Sequence, residues 1–242
     1  MPHPLEVGVL LPAELAPHAV TYLTGSHACG LNTPVSDFDY TVIYLDRPDL
    51  KRVFRKYPDA LHSKVKGTGA DESQKGYALK RFAQLLAKGD ANLAELADHL
   101  RVVGGWEQNH DTVAIQRFMT TVSPFLVTRE LVGSYLGHLT GIHHEMRTKG
   151  VTPKRLSHAL RMADGAIFLL EQRRVPDYRS AEFAEQRALA LAVKTGVQTL
   201  ADGAAALADR EGVIQALKGQ RDNFPDNHEL VDTINDFFVH LS

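Results

Sequence analysis

The apolar positions of this chain follow two different periods, and the change between them comes early. Between Ala19 and Leu45 the runs "AVTYLTG" and "FDYTVIYL" are short, β-branched and aromatic, as strands are, and the "GLNTPVSD" between them is turn chemistry. The next stretch, "RPDLKRVFRKY", is expected to be a helix, with Pro48 at its start where a missing N–H is harmless, and "ALHSKVKG" reads as a further strand. From Lys75 onward the helical period takes over. In "KGYALKRFAQLLAKG" the residues Leu79, Phe82, Leu85 and Leu86 share one face.

The rest of the chain reads as mostly helix. In "PKRLSHALRMADGAIFLLEQ" an apolar stripe of Leu156, Leu160, Ala163, Ile167 and Leu170 runs along one side, and Lys154, His158 and Arg161 line the other. The stretch "TLADGAAALADREGVIQAL" spaces Leu200, Leu207 and Ile214 by sevens, as a packed helix does. The last segment, "PDNHELVDTINDFFVHL", offers Asp226 and Glu229 as a variant capping box ahead of Leu230, Ile234, Phe237 and Leu241. A small α/β unit followed by a helical bundle is therefore expected. The boundary is placed near "RVVGGWEQN", where two glycines interrupt the helical text and Trp106 would pack at the junction. No internal repeat and no low-complexity linker is visible.

Composition narrows the function classes. The chain's 242 residues can bury a substantial core, and no apolar run approaches the length that spans a bilayer, so no membrane partner is expected. The start, "MPHPLEVGVLLPAEL", lacks a basic leader and a small-residue cleavage site, and the single Cys29 has no disulfide partner within the chain. Both point to a cytoplasmic protein. A net charge of −2 argues against a broadly basic surface, so a nucleic-acid partner would need a local basic site.

One stretch carries chemistry. In "TGSHACGLNTPVSDFDYTVIYL" two acids, Asp37 and Asp39, stand where a strand begins. Residues two apart on a strand point to the same side, so the two carboxylates converge while Phe38, Tyr40 and Val42 pack behind them. Adjacent anions repel unless a cation neutralises them, and hard oxygen ligands without a matching His or Cys set favour Mg²⁺ or Mn²⁺. Gly25 and Ser26 supply the complementary half: a glycine lets backbone N–H groups approach an anion, and the serine hydroxyl adds a donor for phosphates. Metal and triphosphate would then meet at one place, poised for in-line attack.

A strand ending in Gly-Ser, a spacer of ten residues, and Asp-x-Asp opening the next strand resembles the nucleotidyltransferases of the DNA polymerase β superfamily. The flanking "GLNTPVSDFDY", the "YALKRFAQLLAKGDANLAEL" helix pair, the "KRLSHALR" helix and the terminal "FPDNHELVDTI" extend the likeness to the RNA-repair-pathway DNA polymerase β-like family. That resemblance implies an α+β fold: a polymerase β-like nucleotidyltransferase core over residues 1–105, a small mixed sheet with helices, followed by a C-terminal helical domain over 106–242. It also implies that Gly25 and Ser26 contact the nucleotide phosphates and that Asp37 and Asp39 bind metal. A third acid from a later strand completes the family's set, for which Asp71 is taken here, with Glu72 beside it. Glu95, Lys154, His158 and Arg161 fall on further motif positions, and Lys154 and Arg161 are expected to contact phosphate or acceptor. The chain departs from the family's habit in two places: Cys29 replaces an aromatic residue, and Asp90-Ala91-Asn92 stands where the family has Asn-Pro-Asn.

Other candidates have plainer readings. His138, His143, His144 and Glu145 in "GHLTGIHHEM" lack the i, i+4 histidine pair that would aim two imidazoles at one zinc ion, so surface or core histidines are expected. Cys29 reads as a small packed residue, and Lys80 and Arg81 as a solvated helix face. The expected activity is transfer of a nucleoside monophosphate from an NTP to an acceptor hydroxyl, with Mg²⁺ or Mn²⁺ and release of pyrophosphate. The acceptor expected from the resemblance is an RNA end; a protein hydroxyl or a small molecule suits the same core, and a nucleotide-sensing module with little turnover is the alternative.

Overall fold

The structure, a computed structural model, describes residues 16–45, 64–65, 72–99, 102–104 and 109–241. Among them five strands form one mixed sheet in the order β3-β4-β2-β1-β5: β1 (Ala19–Thr24), β2 (Phe38–Tyr44), β3 (Lys64–Val65), β4 (Glu72–Ala78) and β5 (Val102–Gly104). β2 runs antiparallel to β1 and parallel to β4, with Asp39 paired to Thr24 on one side and to Ser73 on the other. The fold is α+β, as the sequence indicates.

Paired residues share a face, so Val20, Tyr22, Thr41 and Ile43 lie on one side of the sheet together with Asp39. That face changes character along its length. Val20, Tyr22 and Ile43 enter the apolar core, whereas Asp39 and Thr41, toward the other end, line an open cavity. Tyr40 and Val42 alternate to the opposite face and are also buried. A strand covered on both faces is why "FDYTVIY" carries so many apolar residues at successive positions.

The helices follow: the single turn α1 (Gly25–Ala28), then α2 (Leu79–Ala87), α3 (Ala91–His99), α4 (His110–Val122), α5 (Arg129–Lys149), α6 (Pro153–Gln172), α7 (Ala184–Thr195), α8 (Leu200–Leu217) and α9 (His228–Leu241). Side-chain caps fix most of their starts. Thr128 Oγ1 accepts from Leu131 N, Thr152 Oγ1 accepts from Arg155 N with Pro153 in the first turn, and Asn109 and Thr199 close full capping boxes with Thr112 and Asp202. At α9, Asp226 Oδ1 accepts from His228 N, while the carboxamide of Asn227 donates to Ala87 O and docks the helix start on the end of α2.

α6 is the hub, packed against α5, α7 and α8. Leu156, Leu160, Ala163 and Leu170 of its expected stripe are buried and Ile167 is half-buried. Its other side is not a solvated face, because Ser157, Arg161 and Asp164 are buried too. Neighbours on several sides leave those polar groups to be paired within the protein: Asp164 accepts from Arg210 Nε of α8 at 2.5 Å and from the Tyr178 hydroxyl at 3.2 Å. One apolar cluster runs from Val20 of β1 through Phe82, Phe118 and Leu160 to Phe237 of α9. Within it Phe118 meets Phe82 and Phe237 edge-on, with ring centroids 6.4 and 5.1 Å apart.

Several sequence expectations are corrected here. Lys75–Ala78 belong to β4 and not to the helix expected from Lys75, which begins at Leu79; "ESQKGYA" shows no apolar alternation of its own to mark the strand. The "RVVGG" stretch contains β5. Leu200 is 39% exposed, so the sevenfold spacing on α8 buries Leu207 and Ile214 without it. The strand expected in "ALHSKVKG" is present at Lys64–Val65. The helix expected at "RPDLKRVFRKY" and Trp106 lie outside the described residues.

The corner between α2 and α3 is a close approach of two backbones. Gly89 has φ +76°, its N–H donates to Leu86 O, and a Cβ there would stand 2.4 Å from the carbonyl carbon of Glu130, in the first turn of α5. Gly89→Ala is therefore expected to destabilise the protein by about 2 kcal/mol or more, the sum of left-handed strain and a backbone clash. Urea unfolding checks this: the midpoint should fall while the slope stays that of the parent.

Candidate functional site

The turn after β1 begins with a residue that only glycine can be. Gly25 has φ +65°, and a Cβ on it would lie 2.2 Å from Asp39 Oδ2. The carboxylate of β2 thus rests against the bare backbone of the turn. The turn is closed by Cys29 N donating to Gly25 O at 3.3 Å and by Leu31 N donating to Ser26 O at 2.9 Å. Cys29 is buried beneath it, with its thiol donating to the same two carbonyls, which accounts for a small residue at that position.

Beyond it the connection to β2 is short and internally bonded: Thr33 N donates to Ser36 Oγ at 2.8 Å and Ser36 N to Thr33 O at 3.0 Å. The His27 ring stacks on Phe38 with centroids 3.9 Å apart, and its Nε2 lies 3.2 Å from Ser36 O. These contacts bring both ends of the connection to one wall of a cavity of about 650 Å³, where Gly25, Ser26, Asp37 and Asp39 all line the surface.

Ser73 is the neighbour that sequence reasoning missed. It pairs with Asp39 across the parallel β2–β4 ladder and donates its hydroxyl to Asp39 Oδ1. Position 72 pairs with Phe38, one step off the Asp39 row. Asp71, the acid taken for the third carboxylate, lies outside the described residues, and among those residues no group of three acid, histidine or cysteine side chains is gathered to hold a metal ion. Asp37 and Asp39 together supply hard oxygen donors of the kind that suits Mg²⁺ or Mn²⁺. No signal within β4 itself marks Ser73; only the register, a long-range property, puts it there.

The opposite wall comes from helices. Arg161 of α6 is buried and forms a two-pronged contact with Glu95 of α3, Nη1 to Oε1 at 3.2 Å and to Oε2 at 3.1 Å, while Nη2 donates to Asn92 Oδ1 at 3.3 Å. The Tyr135 hydroxyl of α5 donates to Glu95 Oε1 at 2.5 Å. Burial opposes the guanidinium charge, but Glu95 together with Cys29, Tyr135 and Tyr178 more than offsets it, and the net shift of the Arg161 pKa is upward. Burial and the same Glu95 raise the Tyr135 pKa. Of the residues expected to offer charge to a phosphate, Arg161 therefore already has its charge matched, and it ties α3, α5 and α6 together. Asn92 serves this network, and Asp90, which departs from the family habit, caps α3 by accepting from Asn92 N and Leu93 N at Oδ1.

His158 faces the cavity, exposed on the surface of α6. Its pKa is pulled below the ordinary imidazole value, first because the concave wall withdraws bulk water even from a ring that faces the opening, and then by the charges of Arg161 and His138. At pH 7 the ring is therefore mostly uncharged. Lys154 is exposed and lines the same wall.

The remaining candidates lie elsewhere. His143 Nε2 sits 2.6 Å from Glu211 Oε1 of α8, and Lys80 and Arg81 are exposed on α2. No described helix is long and apolar enough to cross a membrane.

No curated protein matches the chain significantly. The model of the family described as the RNA repair pathway DNA polymerase beta family matches residues 15–240. That match takes in the sheet, the Gly-Ser turn, the two acids and every described helix, and the chain belongs to the RNA repair pathway DNA polymerase beta family.

Proposed function

We propose that this protein is a metal-dependent nucleotidyltransferase that moves a nucleoside monophosphate from an NTP to an acceptor hydroxyl and releases pyrophosphate. The observation that carries the reading is the seat of Asp39 against the bare backbone of Gly25, which puts the Gly-Ser turn and a carboxylate side by side. Backbone N–H groups of the turn and the Ser26 hydroxyl would hold phosphate oxygens, and Asp37 and Asp39 would hold Mg²⁺ or Mn²⁺. When bound, the metal would offset the phosphate charge and make the acceptor hydroxyl more acidic. The acceptor oxygen forms a bond to the α-phosphorus, the bond from that phosphorus to the β-bridging oxygen breaks, and the hydroxyl proton leaves to a base. Asp71 is proposed as that base. Lys154 would face the phosphates, while Arg161 would fix the wall they lie against.

An RNA end is the acceptor that the family description favours. The near-neutral charge of the chain leaves a protein hydroxyl or a small molecule as the other acceptor classes. A nucleotide-sensing role is the second reading, and the serine hydroxyl standing beside Asp39 on β4 is what favours it.

Incubation with labelled NTPs, Mg²⁺ or Mn²⁺ and candidate RNAs, proteins or small molecules tests the proposal. The wild type should transfer label, and Asp37→Ala or Asp39→Ala should lower the rate about 100-fold or more. Transfer unchanged in both variants would sink the transferase reading. Nucleotide binding by calorimetry that needs Mg²⁺ and Asp37, with no pyrophosphate released for any acceptor, would instead support the sensor.

Two further outcomes follow from the geometry. Chelation with EDTA should abolish transfer, and added Mg²⁺ or Mn²⁺, but not Ca²⁺ alone, should restore it. Gly25→Ala should remove transfer in a protein that still folds, since its Cβ occupies the space of the Asp39 carboxylate; circular dichroism alongside the transfer assay reads both.

A further inference from the structure

Asp39 is held from both sides of its strand. β2 lies between β1 and β4, so Asp39 has a neighbour on each flank, Thr24 on one and Ser73 on the other. Toward β4, the Ser73 hydroxyl donates to Asp39 Oδ1. Toward the end of β1, Oδ2 lies against the Gly-Ser turn, where a Cβ on Gly25 would stand 2.2 Å from it. The two oxygens therefore have different surroundings. One is engaged by a hydroxyl, and the other faces the turn with no hydrogen-bond donor among the described residues.

A serine opposite an aspartate on a ladder is by itself an ordinary cross-strand polar pair. This pair also borders the cavity, since both side chains line it. Among the described residues no cation forms an ion pair with Asp39, Lys75 at the next position on that face of β4 included. A neutral donor orients a carboxylate and leaves its charge in place, whereas a lysine would cancel that charge. The turn on the other flank is itself braced: the Lys194 ammonium of α7 donates to Leu31 O at 2.5 Å and lies 3.4 Å from Ser36 Oγ. The sheet and the turn thus fix the direction of Asp39 while its charge stays available to a metal ion.

Ion size enters through the number of oxygens on offer. Ca²⁺ accepts a carboxylate through both oxygens and tolerates irregular geometry, whereas Mg²⁺ requires separately placed oxygens in a near-ideal octahedron, and Mn²⁺ suits the same octahedral set. A carboxylate with Oδ1 tied to a serine presents the single oxygen Oδ2.

We propose that Ser73 is a positioning residue that sets metal selectivity: by holding Oδ1 of Asp39 it leaves Oδ2, on the side of the Gly-Ser turn, to meet the ion, which favours Mg²⁺ and Mn²⁺ over Ca²⁺. This rests on the metal binding proposed for Asp37 and Asp39, and on no step of transfer. Ser73 touches neither metal nor nucleotide and acts through Asp39.

Metal binding by the full chain, without nucleotide, is the measurement. Mn²⁺ is titrated and read by electron paramagnetic resonance, and Ca²⁺ and Mg²⁺ are read by their displacement of Mn²⁺. Ser73→Ala should weaken Mn²⁺ binding about tenfold, the effect of losing a hydrogen bond to a ligating carboxylate. Ca²⁺ should lose much less, because the freed Oδ1 lets the larger ion bind through both oxygens, so the preference for Mn²⁺ over Ca²⁺ falls. Ser73→Thr keeps the hydroxyl and suits a strand, and it should retain both affinities. Thermal melts check the fold, and if Ser73→Ala folds poorly, Ser73→Cys, close in size and a weak donor, carries the same comparison.

A merely structural serine would change stability without changing the ratio between the two ions. A preference for Mn²⁺ over Ca²⁺ that Ser73→Ala leaves unchanged therefore overturns the proposal, even where both affinities fall. So does a wild type that binds no Mn²⁺ at millimolar metal, or Ser73→Thr behaving as Ser73→Ala. Selectivity that depends on Ser73, with no label transfer to any acceptor, would leave the proposal standing and remove the transferase reading. Label transfer that needs Asp39, with a metal preference indifferent to Ser73, would do the reverse.

Discussion

A carboxylate can rest against a main-chain turn only where no side chain intervenes, and the cavity is arranged around the place where this happens. Gly25 directly follows β1, whose last residue Thr24 pairs with Asp39 of the antiparallel β2, so the contact is set by that pairing and not by the loop between them. The ten-residue connection can then be devoted to other things. It bonds to itself through Thr33 and Ser36, stacks His27 on Phe38, and accepts a lysine from a distant helix. Everything on the sheet side of the cavity is referred to a ladder, which is the stiffest reference that a small protein offers.

The helical side is referred to a buried ion pair. A guanidinium taken out of water costs several kcal/mol unless it is matched, and Arg161 is paired with Glu95 and donates a further hydrogen bond to Asn92. The Tyr135 hydroxyl fixes Glu95 from a third helix. Such a network is intolerant of displacement, because moving any one of α3, α5 or α6 strands a charge in the interior. It holds a polar wall in place where an apolar contact would allow sliding. The cavity therefore has two rigid walls of different origin, one made of backbone ladder and one of matched charges.

How much of this could be read from residues alone depends on the range of the determining interaction. β1, β2 and α6 were legible because period and side-chain type are local, and α6 spans the residues expected of it. The Gly-Ser turn and the two acids were legible because their chemistry is unusual for a strand boundary. β4 was not, since "ESQKGYA" is a polar strand whose neighbours on either side supply the apolar context. β5, with three residues, is too short to show a period. Arg161 looked solvated on a helical wheel, and only the packing of other helices around α6 makes it interior. Ser73 and Lys194 reach the site through pairings across the fold, about which the neighbouring sequence is silent.

The bond from Lys194 to Leu31 closes a separation of 163 residues. Contacts that join such distant positions form late, after the entropy of closing the intervening chain has been met by other contacts. A chain emerging from the ribosome presents the Gly-Ser turn and both acids long before α7 exists to brace them. Completion of the helical region is thus what turns an acidic strand boundary into a walled compartment. The time at which the two walls of the cavity meet is therefore set by the synthesis of α7 and not by that of the strands.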